Sequence, residues 1–172
     1  MKRRTKRKNL LFFRYLAFGI EILLLWLLQS TPKLLPELLG AKAFLLLAAA
    51  LSFAACVKPI PAIILGAVCG VLADISADGT VGFFSVAFVL VCYAEASLLG
   101  TYLNRNALTS AVLSFGAIVL VIGLYFLFFK VFAGIPDCGT LFVTRYLSRM
   151  ALTALAFIPL YILNDLLTKK LN

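Results

Sequence analysis

Long apolar runs separated by short breaks dominate the pattern along the chain. Six of them read as helices, over residues 10–29, 42–57, 61–77, 82–103, 108–129 and 141–167. They are continuous and lack the in-and-out alternation of a lipid-spanning β-barrel. About 20 residues at about 1.5 Å each cover one hydrocarbon thickness. The pattern therefore predicts an all-α integral membrane bundle of six transmembrane helices over residues 10–168. Residues 1–9 form a basic arm ahead of it and residues 169–172 a short basic tail. The breaks carry turn chemistry: Pro32, Pro36 and Gly40 in the first, Lys58-Pro59-Ile60-Pro61 in the second, Asn104-Arg105-Asn106 further on, and Pro136, Asp137 and Gly139 before the last run. Leu34, Leu35, Leu38 and Leu39 are spaced for a short amphipathic turn on the membrane surface. Pro159 predicts a kink in the last helix.

Composition strengthens this reading. Of 172 residues, 63% are hydrophobic, more than a water-facing exterior tolerates. The net charge of +9 is concentrated at the N-terminus, in Lys2, Arg3, Arg4, Lys6, Arg7 and Lys8. Such an arm directly before an apolar helix reads as an anchor on anionic lipids, not as a nucleic-acid site. The first apolar run is long for a signal peptide, and Gln29-Ser30-Thr31-Pro32 offers no small-residue cleavage site, so it reads as a retained helix. Lys58, Arg105, Lys169 and Lys170 fall on the side of the arm, which places both termini in the cytoplasm. Trp26 reads as an anchor at the far interface. With no His and four Cys in unpaired spacing, the chain lacks the commonest general base and metal ligand. No metal and no cofactor are expected.

Within this apolar background the stretch GAVCGVLADISADGTVG, residues 66–82, stands apart. Gly66, Gly70 and Asp74 are four apart and share one helix face, where small residues admit a close neighbour. Asp74 lies near a helix C-terminus and at membrane depth. Both circumstances call for a cation. Arg145 and Arg149, one turn apart in the last run, lie at similar depth, and an ion pair from Asp74 to one of them, Arg149 by preference, is expected. Asp78, Gly79 and Gly82 read as the turn into the fourth helix. Two acids here do not make a metal site. The Asp-Gly, Ala-Arg and later acids of CDP-alcohol head-group transferases are incomplete, with Gly82-Phe83 standing where Ala-Arg is needed. Glu21 and Glu95 are the other intramembrane acids, read either as a polar relay or ligand pocket or as helix–helix hydrogen bonding. Glu95 has Arg14 and Lys58 as possible partners, and Asp165 pairs with Lys169. No P-loop, Ser-His-Asp set, Cys-His pair or Rossmann glycine pattern is present.

Three segments together resemble MreD, the rod shape-determining membrane protein family of bacteria. They are Leu27-Leu28-Gln29-Ser30-Thr31 at the end of the first helix, Gly66-x-x-x-Gly70-Val71-Leu72-Ala73-Asp74 followed by Gly79 and Gly82, and a last helix with Pro159 and the basic end Lys169-Lys170. Val71 in place of Leu, the long arm and Glu95 depart from that pattern. The resemblance implies a non-enzymatic component of the cell-elongation machinery. Its partners would be MreC, the MreB cytoskeleton, a RodA-type glycosyltransferase and a class B penicillin-binding transpeptidase. It also implies a fold similar to the substrate-binding subunits of energy-coupling-factor vitamin transporters. That likeness keeps a transport subunit as the alternative function. A lipid-modifying enzyme is disfavoured by the incomplete acidic pattern.

Overall fold

A computed structural model describes residues 2–31, 43–76, 82–103, 106–132 and 138–170, with backbone only for 2–12 and 138. Every regular element among them is helical: α1 (Lys2–Ser30), α2 (Leu45–Cys56), α3 (Pro59–Ser76), α4 (Phe83–Thr101), α5 (Ala107–Phe126), α6 (Cys138–Leu141) and α7 (Ser148–Lys170). Two π-helical turns, Leu127–Val131 after α5 and Phe142–Leu147 between α6 and α7, continue their helices without a break. The described residues thus form six rods, the last running from α6 through its π turn into α7 with Pro159 inside it.

Five of the rods are long and apolar enough to cross a membrane: 13–30, 59–76, 83–101, 107–131 and 139–170. The remaining rod, α2, is shorter than the sequence pattern suggests. Its 12 residues rise about 18 Å, roughly half the hydrocarbon thickness. Apart from Cys56, every residue of α2 is buried. It packs against α1, α3, α4, α5 and α7, and so forms the axis of the bundle. A helix apolar on all sides belongs in such a place, because no face needs a polar surround. The outer rods instead turn Leu23, Ile64, Val86, Leu120 and Ile162 outward, as a lipid solvent permits.

The first helix also begins earlier than the apolar run does. Its backbone is helical from Lys2, so most of the basic arm continues α1. Aromatic rings gather around the two π turns. Phe126 and Tyr146 meet edge to face at 4.8 Å, and Tyr125 stacks on Phe129 at 5.0 Å and on Phe84 at 5.2 Å.

Candidate functional site

The glycine stripe is the contact between α3 and α4, which pack together more extensively than any other pair. A Cβ added at Gly70 would lie 2.6 Å from Ser85 Cα and 2.8 Å from the Phe84 carbonyl oxygen. One added at Gly66 would lie 3.0 Å from Cys92 Sγ. The backbones therefore meet where the sequence places its small residues. One turn further along α3, Asp74 takes a role different from the one its depth suggests. Its Oδ1 accepts from the Phe84 N–H at 3.0 Å and its Oδ2 from the Ser85 N–H at 2.9 Å and the Ser85 hydroxyl. The positive partner of Asp74 is the N-terminus of α4, whose first amides are otherwise unbonded. The expected ion pair with Arg149 or Arg145 is not formed. Among the described residues the ion pair present is Lys169–Asp165, at 2.6 Å. The joint accordingly ties α3 to α4, and α7 is not joined through Asp74. Gly82, at φ +86°, starts α4 in the left-handed region that glycine tolerates best. Asp78 and Gly79 lie outside the described residues.

Next to this joint, at the end of the bundle where α1 and α3 finish and α2 and α4 begin, lies a cavity of about 200 Å3. Its lining comes from five rods and the residue that precedes α2: Gln29, Ala73 with Ser76, Phe84, Tyr125 and Arg149, with Phe44. Arg149 lays its guanidinium over the Phe44 ring at 5.2 Å, an arrangement favoured by the ring quadrupole. The Nε of Arg149 is buried without a hydrogen-bond partner. Arg145, one turn earlier in the π segment, is exposed. The rest of the cavity is braced by long-range hydrogen bonds. Gln29 Oε1 accepts the Leu46 N–H at 3.1 Å, and Thr153 Oγ1 accepts the Phe44 N–H at 3.0 Å. Two amides at the start of the buried helix α2 are thereby satisfied by α1 and α7. The Trp26 indole N–H donates to Ser76 Oγ at 2.9 Å, so Trp26 fastens α1 to α3.

The two remaining intramembrane acids are hydrogen-bonded to neutral side chains. Glu21 Oε1 accepts from Asn164 Nδ2 at 3.1 Å, and the same amide donates to Ser52 Oγ at 2.8 Å. The Ser52 hydroxyl donates to the Ala49 carbonyl oxygen at 2.7 Å. The chain of bonds joins α1, α7 and α2 in a buried polar node. Glu95 Oε1 accepts from the Ser114 hydroxyl of α5, and neither Arg14 nor Lys58 reaches it. Arg14 instead stacks over Tyr15 at 5.2 Å. For both acids, helix–helix hydrogen bonding is the arrangement observed.

Gln29, Ser52, Ser114, Thr153 and Asn164 are the residues that pattern reading passes over. Ser52, Ser114 and Thr153 are lone uncharged polar residues inside apolar runs, Asn164 stands beside Asp165, and Gln29 closes the first run. The signal was their placement at depths where hydrocarbon supplies no partner, so each must bond to another helix. The arrangement offers a polar, cation-bearing cavity at one end of a lipid-embedded bundle. Among the described residues no group of His, Cys, Asp and Glu is arranged to hold a metal.

A family model described as rod shape-determining protein MreD matches residues 6–171. No curated protein and no solved structure matches the chain.

Proposed function

Because this chain belongs to the MreD family of rod shape-determining proteins, we propose that it serves as a non-enzymatic scaffold in the cell-elongation complex, holding MreC beside the RodA-type glycosyltransferase and the class B penicillin-binding transpeptidase, in register with the MreB cytoskeleton. Family membership supports the role in rod shape, and five membrane-length helices support a multi-pass membrane protein. With both termini in the cytoplasm, as the Lys and Arg distribution favours, the basic start of α1 rests on anionic lipid and the Arg149 cavity faces outward.

The observation that carries the docking reading is the state of Arg149. It lines an open cavity at a bundle end, over an aromatic ring, and no acid among the described residues pairs with it. A guanidinium at this depth is stabilised by an anionic or carbonyl group, and its buried Nε has no hydrogen-bond partner within the described residues. In the proposal a membrane-proximal segment of MreC supplies that group.

The test is complementation in rod-shaped cells lacking the native protein, read beside co-purification of MreC. Arg149→Gln is expected to give round cells and loss of MreC at normal expression and normal melting temperature. Arg149→Lys keeps the charge without the fork and restores only part of both. Rod-shaped cells with full MreC recovery from Arg149→Gln would overturn the assignment.

A further inference from the structure

The chemistry that the Arg149 cavity can recognise follows from what its wall has left to offer. No acid is among the described residues that line it. Asp74, next to Ala73 of the wall, has both carboxylate oxygens held by the first amides of α4. Side-chain acceptors in the wall are engaged as well. Gln29 Oε1 takes the Leu46 N–H at 3.1 Å. Ser76 Oγ takes the Trp26 indole N–H and donates to the Leu72 carbonyl oxygen at 3.0 Å. What remains is a set of donors: the Arg149 guanidinium, the Gln29 Nε2 amide and the Tyr125 hydroxyl. None of the three is hydrogen-bonded to another described residue. The Phe44 ring covers one face of the guanidinium and leaves the in-plane N–H fork for a partner. Beside it Phe84 and Tyr125 stack at 5.2 Å and supply an apolar wall.

We infer that this cavity binds a carboxylate carried on a short apolar stem, with Gln29 and Tyr125 completing the donor set around Arg149. Charge, shape and size select that ligand. A wall whose unengaged polar groups are donors calls for an oxyanion. One guanidinium balances one negative charge, so a phosphate monoester would carry an unmatched charge to membrane depth. The planar fork takes the two oxygens of a carboxylate in parallel bonds. At about 200 Å3 the cavity exceeds the roughly 150 Å3 that holds one benzene and falls below the roughly 300–1,000 Å3 of drug-sized sites. It has room for a carboxylate with an aliphatic or aryl stem, and none for a nucleotide. A phospholipid phosphate is tied to acyl chains, and five rods stand between the cavity and the lipid. The inference rests on the docking reading and narrows it: the group that a docked segment brings is an acidic side chain. A small free carboxylic acid presents the same chemistry to the same three donors.

The experiment titrates the full chain, purified in detergent, by ligand-observed NMR, with empty micelles as the blank. The probes are hydrocinnamate, its neutral amide, diethyl phosphate as a soluble phosphodiester, and capped Ala-Glu-Ala and Ala-Gln-Ala peptides. Hydrocinnamate is expected to bind about tenfold or more tightly than its amide and than diethyl phosphate. Preference for the Glu peptide over the Gln peptide assigns the carboxylate to an acidic side chain; preference confined to hydrocinnamate assigns it to a free acid. Arg149→Gln should remove the preference for the acid. Tyr125→Phe keeps the ring against Phe84 and should weaken hydrocinnamate about threefold to tenfold at an unchanged melting temperature. Gln29→Glu keeps an acceptor for the Leu46 N–H but places an acid in the wall, and should abolish binding. Equal affinity for hydrocinnamate and its amide, diethyl phosphate binding as tightly as hydrocinnamate, or full affinity in Gln29→Glu and Tyr125→Phe overturns the inference. If hydrocinnamate fails to bind while Arg149→Gln still loses MreC, this inference falls and the scaffold reading stands. Hydrocinnamate binding that Arg149→Gln abolishes, with MreC recovered in full, supports the carboxylate site and counts against the scaffold reading alone.

Discussion

Replacing Gly70 by Ala is the sharpest test of how the bundle is held together. The new methyl would lie 2.6 Å from Ser85 Cα and 2.8 Å from the Phe84 carbonyl oxygen, where carbon atoms ordinarily keep about 3.5–4.0 Å. Both neighbours are backbone, so no rotamer change relieves the clash, and α3 and α4 must part by about 1 Å. Overpacking of this kind costs about 1–3 kcal/mol. The separation also stretches the two Asp74 bonds, now 3.0 and 2.9 Å, beyond useful length. Losing that cap adds about 0.5–2 kcal/mol. The sum, about 1.5–5 kcal/mol, corresponds to a fall in melting temperature of about 3–20 °C for a chain of this size. The assay is thermal unfolding of the detergent-purified protein followed by size-exclusion fluorescence. Gly66→Ala supplies a graded comparison. Its methyl meets Cys92 Sγ at 3.0 Å and Cβ at 3.1 Å, with the Phe88 carbonyl oxygen at 3.2 Å. The side chain can yield, and about 1 kcal/mol is expected. Gly116→Ala meets nothing within 4 Å and should be neutral or slightly stabilising through helix propensity. If Gly70→Ala melts with the wild type, or Gly116→Ala melts lower than Gly70→Ala, close α3–α4 approach is not what requires glycine.

Other perturbations separate the remaining contacts. Asp74→Ala and Arg149→Gln share no partner, so their effects on stability should add within about 0.5 kcal/mol; strong coupling in the double variant would restore the ion pair that the geometry denies. Thr153→Val removes the acceptor of the Phe44 N–H and should destabilise by about 1–3 kcal/mol in chemical unfolding, an unchanged midpoint refuting the cap. A double-mutant cycle of Glu21→Ala with Asn164→Ala should give a coupling of about 0.6–1.7 kcal/mol, and zero would remove the node. Asp165→Asn breaks an exposed surface pair and should shift stability by less than about 1 kcal/mol, a larger loss showing a structural role.

The sequence makes the close helix pair legible because two glycines four apart on an apolar helix have a single structural consequence, a backbone approach. Membrane helices are legible for a similar reason, since apolar length alone decides them. Asp74 shows where this reading stops. Its depth and its place at a helix C-terminus correctly demand positive charge, but a helix N-terminus supplies positive charge as well as an arginine does, and which one lies opposite is settled by the turn that follows. The short α2 is hidden for another reason. Hydropathy does not distinguish a buried axis from a lipid-facing span, and the caps at the late start of α2 come from Gln29 and Thr153, the second 109 residues from the amide it accepts. Glu95 and Ser114 belong to the same class, a pairing fixed by tertiary contact between two helices whose patterns are separately unremarkable.

The enclosed position of α2 has a consequence for how the protein is made. During synthesis α2 leaves the ribosome before α3, α4, α5 and α7, the helices that supply most of its wall. It is too short to span a bilayer alone, and one of its first amides finds its acceptor only when Thr153 arrives. The bundle therefore closes only after its final helix has entered the membrane. Until then the nascent chain presents an uncapped helix end to the quality-control proteases of the membrane. A chain cut short before α7 is expected to be cleared, so the cell would keep completed copies for wall synthesis.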